Sequence, residues 1–239
     1  TLGSVSTICS DKTGTLTRNE LTVRTLVTAA SVYEVSGAGY NPRGGFRRAG
    51  QDFSPQEDAG LSEALRAAAL CNDAVLRQAD GEWHVDGDPT EGALIAAALK
   101  AGIDPGLEAK NWPRTDAIPF ESEHRFMATL HHDHAGNGLI LVKGAPERLL
   151  EMCRMERIDG HDRPIDRPRW QRCIEETAAK GQRVLAVALK SSAATHRELM
   201  FRDVEADLSL LGMFGMIDPP REEAIAAVRQ CQAAGIVVK

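Results

Sequence analysis

Val5-Ser6-Thr7-Ile8-Cys9-Ser10-Asp11-Lys12-Thr13-Gly14-Thr15-Leu16-Thr17 opens on a compact β-prone run and turns, at Asp11, into a polar segment carrying a glycine. That is a strand delivering an aspartate to its C-terminal end. Near the other end of the chain, Asp218-Pro219-Pro220-Arg221 is a stiff hinge, because two successive prolines enter neither a helix nor a central ladder. Beyond it, residues 222–234 have the pattern of a helix capped by Gly235, and the chain runs on into the apolar Ile236-Val237-Val238. A strand-Asp-turn unit in front and a hinge-helix-strand unit behind belong to one parallel α/β sheet. The roughly two hundred residues between them form an inserted α+β domain. The boundaries that follow are 1–20, 21–217 and 218–239, with the α/β part incomplete.

Within the insert, residues 21–35 are rich in Thr and Val, as strands are, and residues 37–50, with their glycines and arginines, read as a long exposed connection. Residues 61–76 change to a helical period, with Ser62 near the start. A second helix is expected over 89–100, with Asp88 as N-cap, Pro89 in the first position and Gly102 just past the end. From Arg114 the period shortens again. Residues 117–120, 126–130 and 139–142 read as antiparallel neighbours, the last two joined by a turn at Asn137-Gly138. Helices at about 145–153 and 169–180, a strand over 183–189, a charged stretch and a strand over 208–217 complete the insert. There is no internal repeat.

Composition narrows the function. Lys and Arg number 28 against 34 Asp and Glu, a net charge of −6, which argues against sequence-independent binding to nucleic acid or anionic lipid. A phosphate ligand would need a local basic pocket. No apolar run approaches the ~20 residues a membrane helix requires. The first residues carry neither an initiator Met nor a signal-like core, so the chain reads as a soluble piece of something longer. Five scattered cysteines without a CxxC spacing fit reduced, mostly buried thiols rather than a disulfide framework or a zinc site. His131-His132-Asp133-His134 is placed in a hairpin loop with no spaced partner cluster, and Arg43, Arg47 and Arg48 read as solvated loop charges. The glycines around them lack the G-x-x-x-x-G-K-[ST] pattern of a Walker-type loop.

The chemistry concentrates at Asp11. A carboxylate is a poor nucleophile in water, but at a strand end facing the N–H groups of a glycine-containing turn it can be held in line with a phosphoryl group. Aspartyl phosphate is the implied product. Lys12 and the hydroxyls of Thr13 and Thr15 can neutralise and bind the transferred oxygens, and Gly14 admits the phosphate to the backbone. Four further motifs lie downstream: Asp88-Pro89-Thr90-Glu91-Gly92-Ala93-Leu94, Phe120-Glu121-Ser122-Glu123-His124-Arg125-Phe126-Met127, Lys143-Gly144-Ala145-Pro146-Glu147 and Gly181-Gln182-Arg183-Val184-Leu185-Ala186. On their residues alone, the first is a helix start with an acidic first turn. Phe120 and Met127 are ordinary core candidates. Lys143 is a lysine emerging at a strand end, where a buried stem and a charged head coexist.

Taken together and in order, with Ser10 to Thr17 and Asp218-Pro219-Pro220-Arg221, these motifs resemble those of the P-type ATPases, and of the type II cation-transporting pumps in particular. The resemblance implies an α+β nucleotide-binding domain, an antiparallel sheet flanked by helices, inserted into an incomplete haloacid dehalogenase-like (Rossmann-like) phosphorylation domain. It implies ATP and Mg²⁺ as cofactors, with Asp11, Lys12 and Thr13 catalytic and Asp11 and Thr13 at the metal. It places Glu91, Phe120, Arg125, Met127, Lys143, Gly144, Arg183 and Asp218 among the nucleotide-binding residues. Phe120 then stacks on adenine, and Lys143 lies deep in the pocket. Arg125 stands where the family often has Lys, and Arg183 contacts phosphates. For Glu91 two readings stand: an acceptor for the adenine amino group, or complementarity to the helix dipole. The intact protein would be a translocating hydrolase anchored in a membrane, this part lying on the cytoplasmic face. Its membrane and actuator parts would be partners, and the transported cation would bind outside the chain. Alone, the chain would bind ATP without turning it over.

Two alternatives come from other classes. Haloacid dehalogenase-like phosphatases share the nucleophilic Asp but commonly carry a second Asp two residues on as general acid and base, where this chain has Thr13. Mg²⁺-dependent turnover abolished by Asp11→Asn would favour that reading. The other alternative is a nucleotide-binding module without any turnover.

Overall fold

The computed structural model describes residues 5–239, with the side chains of Lys12 and Thr13 outside the described set. In chain order the strands are β1 (Thr7–Ile8), β2 (Thr22–Thr28), β3 (Val32–Val35), β4 (Phe46–Arg48), β5 (Gln51–Phe53), β6 (Val75–Ala79), β7 (Glu82–Asp86), β8 (Arg114–Glu121), β9 (Phe126–His132), β10 (Gly138–Gly144), β11 (Cys153–Ile158), β12 (His161–Pro164), β13 (Arg183–Ser192), β14 (Leu208–Ile217) and β15 (Val237–Val238). The α-helices are α1 (Ala59–Leu70), α2 (Pro89–Lys100), α3 (Pro105–Asn111), α4 (Pro146–Met152), α5 (Arg167–Ala179), α6 (Phe201–Val204) and α7 (Glu222–Ala233).

The body is one eleven-stranded sheet whose main path runs β5-β4-β3-β2-β14-β13-β10-β9-β8. Every pairing along that path is antiparallel. The N-terminal end of β14 pairs in parallel with β11, which carries β12, and its C-terminal part pairs with β2. Helices cover both faces, which is why the central strands β9, β10 and β14 are buried at almost every position rather than at every second one. Met127, Leu141, Val187 and Phe214 pack with α1 and α2. Their chain neighbours Phe126, Ala128, Ile140, Val142, Ala186, Ala188 and Met213 pack on the other face with Leu149 of α4 and Trp170 of α5.

The two ends of the chain meet apart from this sheet. β1 and β15 form a parallel pair, Thr7 beside Val237 and Ile8 beside Val238, and Asp11 leaves the end of β1, exposed, into a helical turn over Lys12–Leu16. The connections to the large sheet zip against each other. Arg18 N–H donates to Pro219 O and Arg221 N–H to Leu16 O. The Thr17 hydroxyl donates to Asp218 Oδ2 at 2.5 Å, and Glu20 N–H to Asp218 Oδ1 at 3.3 Å.

Several local expectations are corrected. α1 starts at Ala59, capped by Asp58 rather than near Ser62, and stops at Leu70, so Leu76 belongs to a two-stranded hairpin, β6–β7, that the helical period concealed. The glycine-rich stretch is not wholly a connection: Tyr40 and Phe46 are buried, and β4 pairs with β3. Arg47 and Arg48 sit on that strand, and the Arg48 guanidinium lies 4.1 Å over the Phe53 ring. Cys9 is exposed, while Cys71 and Cys153 are buried. α2, by contrast, has its expected bounds, with the Asp88 carboxylate accepting from Thr90 N–H and Glu91 N–H.

His131 and His132 are strand residues of β9, both buried, and not loop residues. Nδ1 of His131 faces Trp112 O at 2.9 Å, and Nε2 faces the Thr129 hydroxyl at 2.9 Å. A carbonyl only accepts, so Nδ1 carries the proton, Nε2 accepts from Thr129, and the neutral ring is fully satisfied. Burial pushes this imidazole from 6.5 down to about 4. Because its folded-state pKa is lowered, the unfolded chain binds the extra proton first, and stability is lost as pH falls from 6.5 through 4. The loss approaches about 3 kcal/mol for a shift of this size. Urea unfolding of wild type and His131→Gln at pH 7.5 and pH 5 is expected to show a steeper loss in wild type. Equal losses would contradict this assignment.

Candidate functional site

α2 begins beside the sheet, and its first turn meets the strand ends across a cavity of about 550 Å³. That volume suits a ligand of nucleoside size or larger. Glu91, Phe120, Arg125, Met127, Lys143, Gly144 and Arg183 all line it, residues scattered over more than ninety positions of sequence. Each arrives by a different local rule. Alternation along β10 puts Lys143 on the same face as Leu141, opposite Met127 of β9 and Val187 of β13, and that is the face α2 covers. Lys143 is therefore 5% exposed, not a surface lysine. Its ammonium donates to Glu91 Oε1 at 2.6 Å.

The second Glu91 oxygen accepts from Asp73 N–H at 3.2 Å. Its carboxylate thus has a structural task that neither sequence-based reading included: it neutralises the buried lysine and ties α2 to the residues after α1. Gly92 is required next to it, since a Cβ there would lie 2.5 Å from Val85 Cγ2 and 3.0 Å from Tyr40 Cε1. Gly144 is required for the neighbouring strand, because a Cβ would stand 2.4 Å from Arg125 O and 2.7 Å from Phe126 Cβ.

Phe120 follows Pro119 at the end of β8 and is 59% exposed, a large ring held at the cavity wall rather than in the core. Met127 does both: it is buried in the core and touches the cavity. Of the three lining cations, Lys143 is offset by Glu91. Arg125 and Arg183 have no side-chain hydrogen bond or ion pair among the described residues, which leaves their guanidinium groups for an anion. The local basic site is therefore these two arginines, with Lys143 as a buried, compensated charge between them and the helix.

Two expected residues stand elsewhere. Asp218 does not line the cavity and binds Thr17 and Glu20 at the hinge. Asp11 is likewise absent from the cavity wall and sits on the β1–β15 unit, while the expected roles of the Lys12 and Thr13 side chains lie outside the described residues. Among the described residues no cluster of three or more His, Cys, Asp or Glu side chains is arranged to hold a metal ion. Asp73, Thr90 and Leu185 also line the cavity and were not nominated from sequence. Asp73 was hidden because the helical period ran past it. Its carboxylate is held by Arg114 Nη1 at 2.5 Å.

Residues 60–223 match the family model described as P-type ATPase, cytoplasmic domain N. The whole chain is 46% identical to the cation-transporting ATPase pma1 of Synechocystis, covering 27% of that protein. It is 41% identical to the probable cation-transporting ATPase F of Mycobacterium tuberculosis, covering 26%. Aligned over 99% of its length, it is 36% identical to a calcium-transporting ATPase of Bacillus subtilis, covering 27%. The chain spans about a quarter of the length of these curated relatives, and no described helix is long and apolar enough to cross a membrane. Cavity, motifs and matches agree, and the chain belongs to the P-type ATPases, most of its length corresponding to their cytoplasmic domain N.

Proposed function

We propose that the cavity binds ATP, with the adenine against Phe120 and the phosphates toward Arg125 and Arg183, in a cation-transporting pump of which this chain is the cytosolic ATP-handling part. The observation that carries this reading is the convergence of seven residues from separate motifs on one cavity, with an exposed aromatic ring and two uncommitted guanidinium groups on its wall. An aromatic face for a purine and paired arginines for a polyphosphate are the two recognition elements a nucleoside triphosphate needs.

Residues 21–217 are then the nucleotide-binding domain, and 1–20 with 218–239 are two segments of a haloacid dehalogenase-like phosphorylation domain. Support comes from the parallel β1–β15 pair, which is separate from the large, mainly antiparallel sheet and whose first strand ends three residues before Asp11. In the intact pump an Asp11 carboxylate oxygen attacks the γ-phosphorus and becomes an aspartyl phosphate as the bond to the β–γ bridging oxygen breaks and ADP leaves. The zipped connections at Glu20 and Asp218 are the hinge about which the nucleotide is brought to it. Asp11 offers the hard oxygen ligand that Mg²⁺ takes, and the nucleotide phosphates would supply others. Mg²⁺ would supply charge neutralisation during transfer, held by Asp11 and Thr13; Lys12 and Thr13 follow Asp11 directly in sequence. The transported cation binds in membrane parts beyond this chain, whose site is the cytoplasmic face.

Phe120→Ala tests the pocket. Because the ring is mostly exposed, the variant is expected to keep wild-type stability while losing about tenfold in affinity for ATP and for adenosine alike, the size of one stacked base. Calorimetric titration of both ligands reads this directly. Unchanged affinities would place the nucleotide elsewhere.

A further inference from the structure

Arg125 takes the left-handed conformation, φ 60°, which a residue with a Cβ holds only where its surroundings impose it. The turn is closed by Glu121 O, which accepts from both His124 N–H and Arg125 N–H. Toward the cavity, Arg125 O accepts from Ala145 N–H at 2.9 Å, and the missing Cβ of Gly144 leaves room for that carbonyl. The chain on either side of Arg125 is held by one further residue. The Phe201 ring lies 4.6 Å from His124 and 6.1 Å, edge-on, from Phe126, centroid to centroid. None of these three rings lines the cavity.

Phe201 is itself 43% exposed, so burial of its own surface is a partial account of its place. Its platform is nevertheless tied down on two sides. Leu199 N–H donates to Asp116 Oδ2 of β8 at 2.7 Å. Lys190 Nζ of β13 donates to Asp203 O at 3.0 Å and Ala206 O at 3.2 Å. Met200 N–H donates to Asp203 Oδ2 at 2.8 Å, which closes the single turn of α6.

Resting on the nucleotide reading of the cavity, we propose that Phe201 is a positioning residue for the polyphosphate: by clamping both chain neighbours of Arg125 it fixes a guanidinium that has no side-chain partner of its own. A cation whose backbone is held in place loses less freedom when a phosphate binds, so the clamp raises affinity for the charged part of the ligand and not for the base.

The experiment titrates the full chain, as wild type, Phe201→Ala, Phe201→Tyr, Arg125→Ala and the Phe201→Ala/Arg125→Ala double variant, with ATP and with adenosine. Phe201→Ala is expected to lose at least about threefold in ATP affinity with adenosine affinity unchanged, and Phe201→Tyr to retain wild-type binding. With Arg125 already gone, removing Phe201 is expected to cost nothing further. Amide exchange without nucleotide gives a separate readout: the Ala145 N–H bonded to Arg125 O should exchange faster in Phe201→Ala. ATP affinity unchanged in Phe201→Ala, adenosine lost in parallel, additive effects in the double variant, or unaltered Ala145 exchange would each overturn the clamp. Absence of ATP binding by wild type would instead overturn the nucleotide reading, and the proposal with it.

Discussion

Lys143→Met is expected to cost about 3 kcal/mol of stability and at least tenfold in ATP affinity. Methionine fills the volume of the buried stem, so little of the loss comes from packing. The cost arises because Glu91, its side chain 13% exposed and 2.6 Å from the ammonium, is left with a single neutral N–H donor, that of Asp73, in a cavity wall. Breaking one side of a buried ion pair typically costs about 3–5 kcal/mol, and the open side of the cavity puts this case at the lower end. The double variant Lys143→Met/Glu91→Gln separates the two effects. Removing both charges should recover most of the stability, measured by urea unfolding, while ATP affinity stays low because the site's buried cation is gone. Recovery of both together would mean that Lys143 serves only to compensate Glu91. Full stability in the single variant would contradict the ion-pair account.

The second large effect lies on the opposite face of the sheet. Trp170 is fully buried and its Nε1–H donates to Glu156 Oε2 at 2.5 Å. Glu156, also fully buried, takes its other bonds from Arg163 Nε at 2.6 Å and Asp166 N–H at 3.2 Å. Trp170→Ala therefore removes the largest fully buried side chain among the described residues and one of three donors to an interior carboxylate. A loss of about 4–5 kcal/mol is expected, a large part of the stability of a domain this size. Trp170→Phe keeps much of the packing and loses the donor, so about 2 kcal/mol is expected from that variant. Chemical unfolding of both measures the split. Equal losses would show that the hydrogen bond, rather than the ring volume, dominates.

The two faces also show what the chain discloses before it folds. Strands β10 and β14, and β9 as far as Leu130, are legible because a sheet covered on both faces writes itself as mainly apolar runs rather than as an alternation; His131 and His132 break the run of β9. α2 was legible because Asp88, Pro89 and Gly102 punctuate it. α1 was misjudged at its end because Cys71-Asn72-Asp73 carries neither glycine nor proline, and the periodic apolar residues continue to Leu76. The hairpins β6–β7 and β11–β12 are illegible for the opposite reason: β6, β7 and β12 are largely exposed and polar, and β11 buries the charged Glu156, so no apolar alternation marks them.

For the site, the nominated lining residues were legible as motifs, since ligand contacts are made by short segments at strand ends and helix starts. Their mutual arrangement was not. That Glu91 would neutralise Lys143, 52 positions away, or that Phe201 would hold the turn carrying Arg125, follows from register and layer order in a sheet that no local window contains. The same applies to Asp218, whose place at the hinge rather than at the cavity depends on how the two crossing connections pair.

The most direct test of the central claim, that this cavity is where ATP binds, is amide shift mapping of the wild-type chain by two-dimensional NMR during an ATP titration. Saturable shifts sharing one binding curve at Glu91, Phe120, Arg125, Gly144 and Leu185, with α7 and the β1–β15 pair unmoved, are the predicted result. Saturable shifts confined to the Asp11 turn and the hinge, or none in the cavity at millimolar ATP, would contradict it.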